Sequence, residues 1–171
     1  MRQVRLIASA LFYITRLPAI AYLATALHAA IALVFNTSSL SIIDDGKYFV
    51  INYPFTQNRF LLGDYDRFYI IEMISFLALY GIFFWLLGNI FKTYMEKKLF
   101  TPKGVKRLKI FYLVNFLAPL PFLILHITIS YEVGTLFIIT VLHGVLGVFA
   151  YFMAAIFTQG LKLQNEQDLF I

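Results

Sequence analysis

The chain contains no cysteine. A disulfide framework, a thiol nucleophile and a thiolate metal site are therefore excluded, and with them the quinone-linked disulfide chemistry of some small four-helix membrane enzymes. Charge is scarce too: 13% of the 171 residues are Asp, Glu, Lys or Arg, about half of what a soluble domain carries. Enzyme signatures are missing as well. The glycines fit no phosphate-cradling loop, no H-E-x-x-H occurs, and no serine sits in a nucleophile elbow. The expectation is a protein that is not an enzyme and holds no cofactor.

What fills the chain instead is apolar, with 61% hydrophobic residues and a mean hydropathy of +0.80. A net charge of +5 would suit a nucleic-acid binder, but there the basic residues interleave with polar surface. Here long uncharged runs separate them, so direct nucleic-acid binding is not expected. Crossing a hydrocarbon core takes around 20 apolar residues. Four windows qualify, at about 17–35, 69–90, 110–130 and 137–157. The second holds twelve Leu, Ile or Phe residues, which favour insertion by about 4 to 7 kcal/mol against at most about 3 for one mid-span charge. The expected fold is an all-α membrane protein, a four-transmembrane-helix bundle in one domain. Residues 2–16 resemble the basic region of a signal peptide, but the apolar run behind them is longer than a signal core, so a retained helix is expected.

Seven of the fourteen positive charges crowd into the stretch 92–109. Placing that basic loop (91–109) and both chain ends in the cytoplasm gives that side eleven Lys and Arg and the other side three, as the positive-inside rule requires. The expected location is the bacterial inner membrane, multi-pass, with the bilayer as partner and anionic lipids at the basic loop. The segment 36–68 is then extracytoplasmic. Within it, Asp-Gly at 45–46 between β-prone runs at 40–43 and 48–53 predicts a hairpin, with a third short strand around 59–62. "GDYD" at 63–66 offers two carboxylates, too few for a calcium loop, and reads as a solvated turn.

Four ionisable side chains fall inside the spans: His28, Glu72, His126 and His143. Such groups are functional candidates by default. Rise arithmetic places all four in the outer leaflet. Residues 4, 7 and 11 apart share a helix face, which puts His143 on a stripe with Gly147, Ala150 and Ala154, and His28 on one with Ala21, Ala24 and Ala32. Small-residue stripes mark close helix approach, so both imidazoles should point inward. Asn115 and His126 share a face on the third span, which Pro119 and Pro121 should kink. These groups can hydrogen-bond between helices or, as an alternative function, bind haem, hold a transition metal or relay protons. Trp85 and the aromatic residues around it read as interface belt and core.

The tail, 158–171, is polar and then apolar, with Gly160 offering a helix stop. Two motifs resemble a known family. "LFTPKGVKRLK" matches its Phe-Thr, three residues, Val-x-Arg-Leu pattern, and "LQNEQDLFI" its closing Leu-Gln-x-Glu-x-Asp-Leu signature; Gln167 and Phe170 depart from the Asn and Thr found there. The family is a bacterial four-helix integral membrane family known only as a domain of unknown function (number 2975). The resemblance implies no catalytic residue, and a helix-turn-helix regulator often encoded alongside. It directs attention to Phe100, Thr101, Arg107 and Leu108 in the loop, and to Glu166, Asp168 and Leu169 in the tail. The expected function is a scaffold or membrane anchor that docks such a cytoplasmic partner through these residues.

Overall fold

The computed structural model describes residues 2–129 and 134–168. Among them run α1 (Arg2–Phe35), β1 (Leu40–Ile43), β2 (Tyr48–Asn52), β3 (Arg59–Asp64), α2 (Arg67–Met95), α3 (Pro102–Leu117), α4 (Pro119–Ile129) and α5 (Gly134–Asp168). Four helical stretches are long and apolar enough to cross a membrane: α1, α2, α3 with α4, and α5. The chain is thus a multi-pass membrane protein with four spans and a small sheet between the first two. Its contacts divide into two compact units, Pro18–Ile82 and Met1–Leu17 with Phe83–Ile171.

In the first unit the three strands form an antiparallel sheet in sequence order, with Ile43 opposite Tyr48 and Tyr48 opposite Asp64. The expected hairpin and third strand are both present. Asp45 and Gly46 have positive φ (52° and 88°), and the Lys47 amide donates to the Asp44 carbonyl at 3.1 Å, which is the reversal that an Asp-Gly turn makes easily. Phe49 and Ile51 alternate onto one face of the central strand and are fully buried against Ala29, Ala32, Tyr69, Ile70, Met73 and Ile74. The sheet therefore packs on α1 and α2 through large β2 side chains against alanines. Gly63 is required here, because a Cβ would run into the rings of Tyr69 and Phe49.

One expectation is extended in this unit and one is corrected. "GDYD" is more than a solvated turn: Asp66 Oδ2 accepts from the amides of Phe68 (2.8 Å) and Tyr69 (3.1 Å), so it caps α2. The stripe proposed around His28 also fails, since Ala21 and Ala24 are exposed while Ala19, Ala26, Ala29 and Ala32 are buried. Alanines occupy every side of this stretch of α1, so small size alone does not select a face.

In the second unit α3 and α4 pack along α5. Here the predicted stripe holds: Gly147, Ala150 and Ala154 are buried, and a Cβ on Gly147 would meet the Phe116 ring at 2.8 Å. The third span is interrupted at Ala118, between α3 and α4 and directly before Pro119, although Ala118 itself stays in the right-handed helical region. Pro119 and Pro121 have no N–H and cannot donate to the carbonyls of Asn115 and Leu117.

The helices overrun the windows read from sequence. At 1.5 Å per residue α1 and α5 are each about 50 Å long, against a hydrocarbon core of about 30 Å. The basic stretch is mostly helix, with six residues between α2 and α3. Gly160 does not stop α5, which continues to Asp168; the glycine is needed because the Phe100 ring lies on it, 2.6 Å from where a Cβ would be.

Candidate functional site

Four residues of α2 form one face, Trp85, Asn89, Thr93 and Glu96, spaced by four, four and three residues. Each makes a polar contact. Thr93 is fully buried, and its hydroxyl donates to the Asn89 carbonyl at 3.2 Å. From α1, Arg16 donates to Asn89 Oδ1 (2.6 Å) and to the Trp85 carbonyl (3.1 Å), while its guanidinium lies 3.7 Å from the Trp85 ring centroid. From α3, Arg107 Nη1 donates to Glu96 Oε1 (2.6 Å) and to Thr93 Oγ1 (3.3 Å). Two arginines on different helices thus grip one polar ladder.

The loop motif completes it. Thr101 is extended (φ −132°, ψ 150°), accepts from the Gly104 amide at 3.0 Å as N-cap of α3, and donates to Glu96 Oε2 at 3.2 Å. Pro102 follows at the first helical position, where a missing N–H is harmless. Gly104 lets α3 approach α2, since a Cβ there would meet Thr93 Cγ2 at 2.6 Å. Leu108 is 2% exposed and packs with Val105, Ala154 and Phe157. Phe100 stacks edge-on against Phe157 at 5.3 Å and covers Gly160. Phe100, Thr101, Arg107 and Leu108 therefore converge on one joint that ties α2, α3 and α5 together.

The Glu96–Arg107 pair has side chains 29% and 20% exposed. At that depth a charge-assisted bond of this length contributes on the order of 1 to 3 kcal/mol. Around the joint the outward side chains are cationic: Arg2, Arg5, Lys92, Lys97, Lys98, Lys103, Lys106, Lys109 and Lys162 are all exposed. Glu166 is exposed on the extension of α5, with Lys162 one turn away at 4.0 Å. Asp168 ends α5, and Leu169 lies outside the described residues.

The other named side chains sit elsewhere. His143 is buried and its Nδ1 lies 2.8 Å from Asn115 Oδ1; a carbonyl oxygen only accepts, so Nδ1 carries the proton. Asn115 Nδ2 donates to the Phe111 carbonyl, and Phe83 meets the imidazole edge-on at 5.3 Å. Asn115 is thus joined to His143; His126 lies half-buried on α4. In the other unit His28 Nε2 donates to the Asn52 carbonyl at 3.0 Å, fastening α1 to the sheet, and Glu72 is half-buried on α2. Among the described residues no group of three or more His, Asp or Glu side chains could hold a metal ion.

Sequence reasoning missed the ladder. Trp85 reads as interface belt, Arg16 as part of the basic N-terminal region, and Glu96 has no reading of its own. A signal was present: Asn89, Thr93 and Glu96 are polar residues on one face of an otherwise apolar helix end.

The family described as "Protein of unknown function (DUF2975)" matches residues 45–171, which takes in the sheet from its first turn, α2 to α5, and both motifs. The chain belongs to the DUF2975 family. No curated protein and no solved structure matches it. Within this DUF2975 chain the loop motif maps onto the joint, while α1, with Arg16, lies before the matched region.

Proposed function

We propose that this DUF2975 chain is a non-catalytic protein of the bacterial inner membrane, with both termini and the loop joint in the cytoplasm, that anchors or regulates a cytoplasmic partner. The partner class is the helix-turn-helix regulator that the family resemblance implies. One observation carries the reading: the loop motif locks α2, α3 and α5 into a fixed joint ringed by exposed cations, and α5 continues beyond it as a helix bearing Glu166. Membrane insertion alone requires neither the joint nor the extension. In this reading Phe100, Thr101, Arg107 and Leu108 shape the platform, while Glu166, Asp168 and Leu169 meet the partner.

Orientation is tested first, and the absence of cysteine makes that simple. A single cysteine at Lys103 should react with a membrane-impermeant maleimide only in inverted vesicles; labelling in right-side-out vesicles would overturn the placement. Docking is tested by mild-detergent pull-down of the full chain with a co-expressed regulator encoded alongside. Recovery should be lost in the double variant Glu166→Ala, Asp168→Ala, and equal recovery would remove the tail from the site.

A further inference from the structure

Arg2, Arg5, Leu6 and Ser9 are spaced by three, one and three residues and so share one face of α1. With Met95 from the end of α2 they line a groove of about 370 Å³. Its chemistry is mixed. Two guanidinium groups and a hydroxyl stand beside a thioether and the side chain of Leu6, which is 63% exposed. Arg5 is held in place, since its Nη2 donates to the Lys97 carbonyl at 3.3 Å, just past the end of α2.

The groove also stands at a definite depth. Lys92 is the first exposed cation after the apolar run of α2 and marks where that helix leaves hydrocarbon. Met95 lies about 4.5 Å beyond it along the axis, and Lys97, whose carbonyl Arg5 meets, follows two residues past the helix end. The polar headgroup layer is roughly 5 to 8 Å thick on each side. The Arg5 guanidinium, tied to the Lys97 carbonyl beyond the helix end, therefore stands in the headgroup layer, with Leu6 and Ser9 about 1.5 and 6 Å further along α1 towards the hydrocarbon.

We infer that this groove between α1 and α2 is a specific site for one anionic phospholipid, its phosphate diester held by Arg2 and Arg5 and its glycerol backbone and the top of an acyl chain lying along Leu6, Ser9 and Met95. A guanidinium presents paired N–H donors that match two phosphate oxygens, which an ammonium cannot do. The exposed lysines of residues 97–109 supply a diffuse attraction to the same leaflet, whereas the groove supplies geometry and an apolar wall. That wall selects a lipid over free phosphate. The site requires no docked protein, and Glu166, Asp168 and Leu169, which meet the partner in the reading above, take no part in it.

The test is native mass spectrometry of the full chain, delipidated and titrated with phosphatidylglycerol or phosphatidylcholine at limiting amounts. One phosphatidylglycerol should be retained in preference to phosphatidylcholine. The double variant Arg2→Gln, Arg5→Gln should lower that occupancy by roughly tenfold or more, whereas Lys103→Gln, Lys106→Gln should leave the single tight lipid in place. Equal retention of both lipids, or loss only in the lysine variant, would overturn the proposal. Inorganic phosphate at millimolar concentration should not displace the lipid; displacement would show a free-anion site instead. Should the arginine variant fail to fold, the wild-type chain still decides. A phosphatidylglycerol with a photoreactive headgroup should label residues 2–9 or 92–97, and labelling confined to 103–109 would sink the assignment.

Discussion

The sheet-bearing unit and the joint-bearing unit are held together by different physics. In the sheet unit the apolar strand β2 lies on alanines, the strands pair through backbone hydrogen bonds, and His28 hydrogen-bonds a backbone carbonyl and lies beside the Phe60 ring. In the joint unit the decisive contacts run between side chains far apart in sequence: Arg16 to Asn89, Arg107 to Glu96, His143 to Asn115, and Phe100 on Gly160. Two β-prone runs around an Asp-Gly turn can be seen in a short window of sequence. A pair such as Arg16 and Asn89, 73 residues apart, has no local signature.

That contrast can be broken experimentally, and the largest effect should come from the sheet unit. Gly63→Val would drive a branched side chain into Tyr69 and Phe49, and should lower stability in detergent by about 3 kcal/mol, read as a drop in thermal midpoint. A midpoint within error of wild type would mean that the sheet does not rest on these rings. Next comes Arg107→Ala, expected to cost about 2 kcal/mol because it leaves Glu96 half-buried without its charged partner. Glu96→Gln should cost less than Arg107→Ala, and the two together less than their sum, a non-additivity that an exposed, independent pair would not give.

Gly160→Ala sharpens the comparison through its sign. At a free helix end this change would stabilise by up to about 1 kcal/mol, whereas a ring seated on the glycine turns it into a loss of similar size. Phe100→Ala in the same chain should restore the gain, and a stabilised single variant would refute the seat. The smallest effect belongs to the imidazoles. His143→Phe should cost about 0.6 kcal/mol, the average for a hydrogen bond between membrane helices, His28→Phe about 1 kcal/mol for the lost bond to the Asn52 carbonyl, and a preparation of either should match wild type in absorption spectrum and metal content. A visible absorption band that disappears with either variant would instead favour a cofactor role.

The four spans, the hairpin with its Asp-Gly turn, the helix break before Pro119 and the stripe of Gly147, Ala150 and Ala154 were legible because each is written within a few turns of chain. The failures have one cause. Asp66 and Thr101 lie at helix starts whose position depended on where the flanking elements ended, and Gly160 looks like a stop until Phe100 is known to cover it. Ala21 and Ala24 matched the right spacing on a helix where alanine is everywhere. The candidate site was legible only as a motif: Phe100, Thr101, Arg107 and Leu108 stood out as a group, but that they close on Glu96, Thr93 and Gly160 did not.

Composition and local pattern by themselves determined that this chain inserts in a membrane four times and carries a small sheet, because the free energy of moving apolar residues out of water depends on which residues are present and in what order. Which polar groups find one another at the loop end, and which faces of α1 and α5 are covered, was decided only by the tertiary structure. Those outcomes depend on the rotation and offset of neighbouring helices, and a helix surface that is apolar on all sides leaves both unspecified until side chains from distant parts of the chain meet.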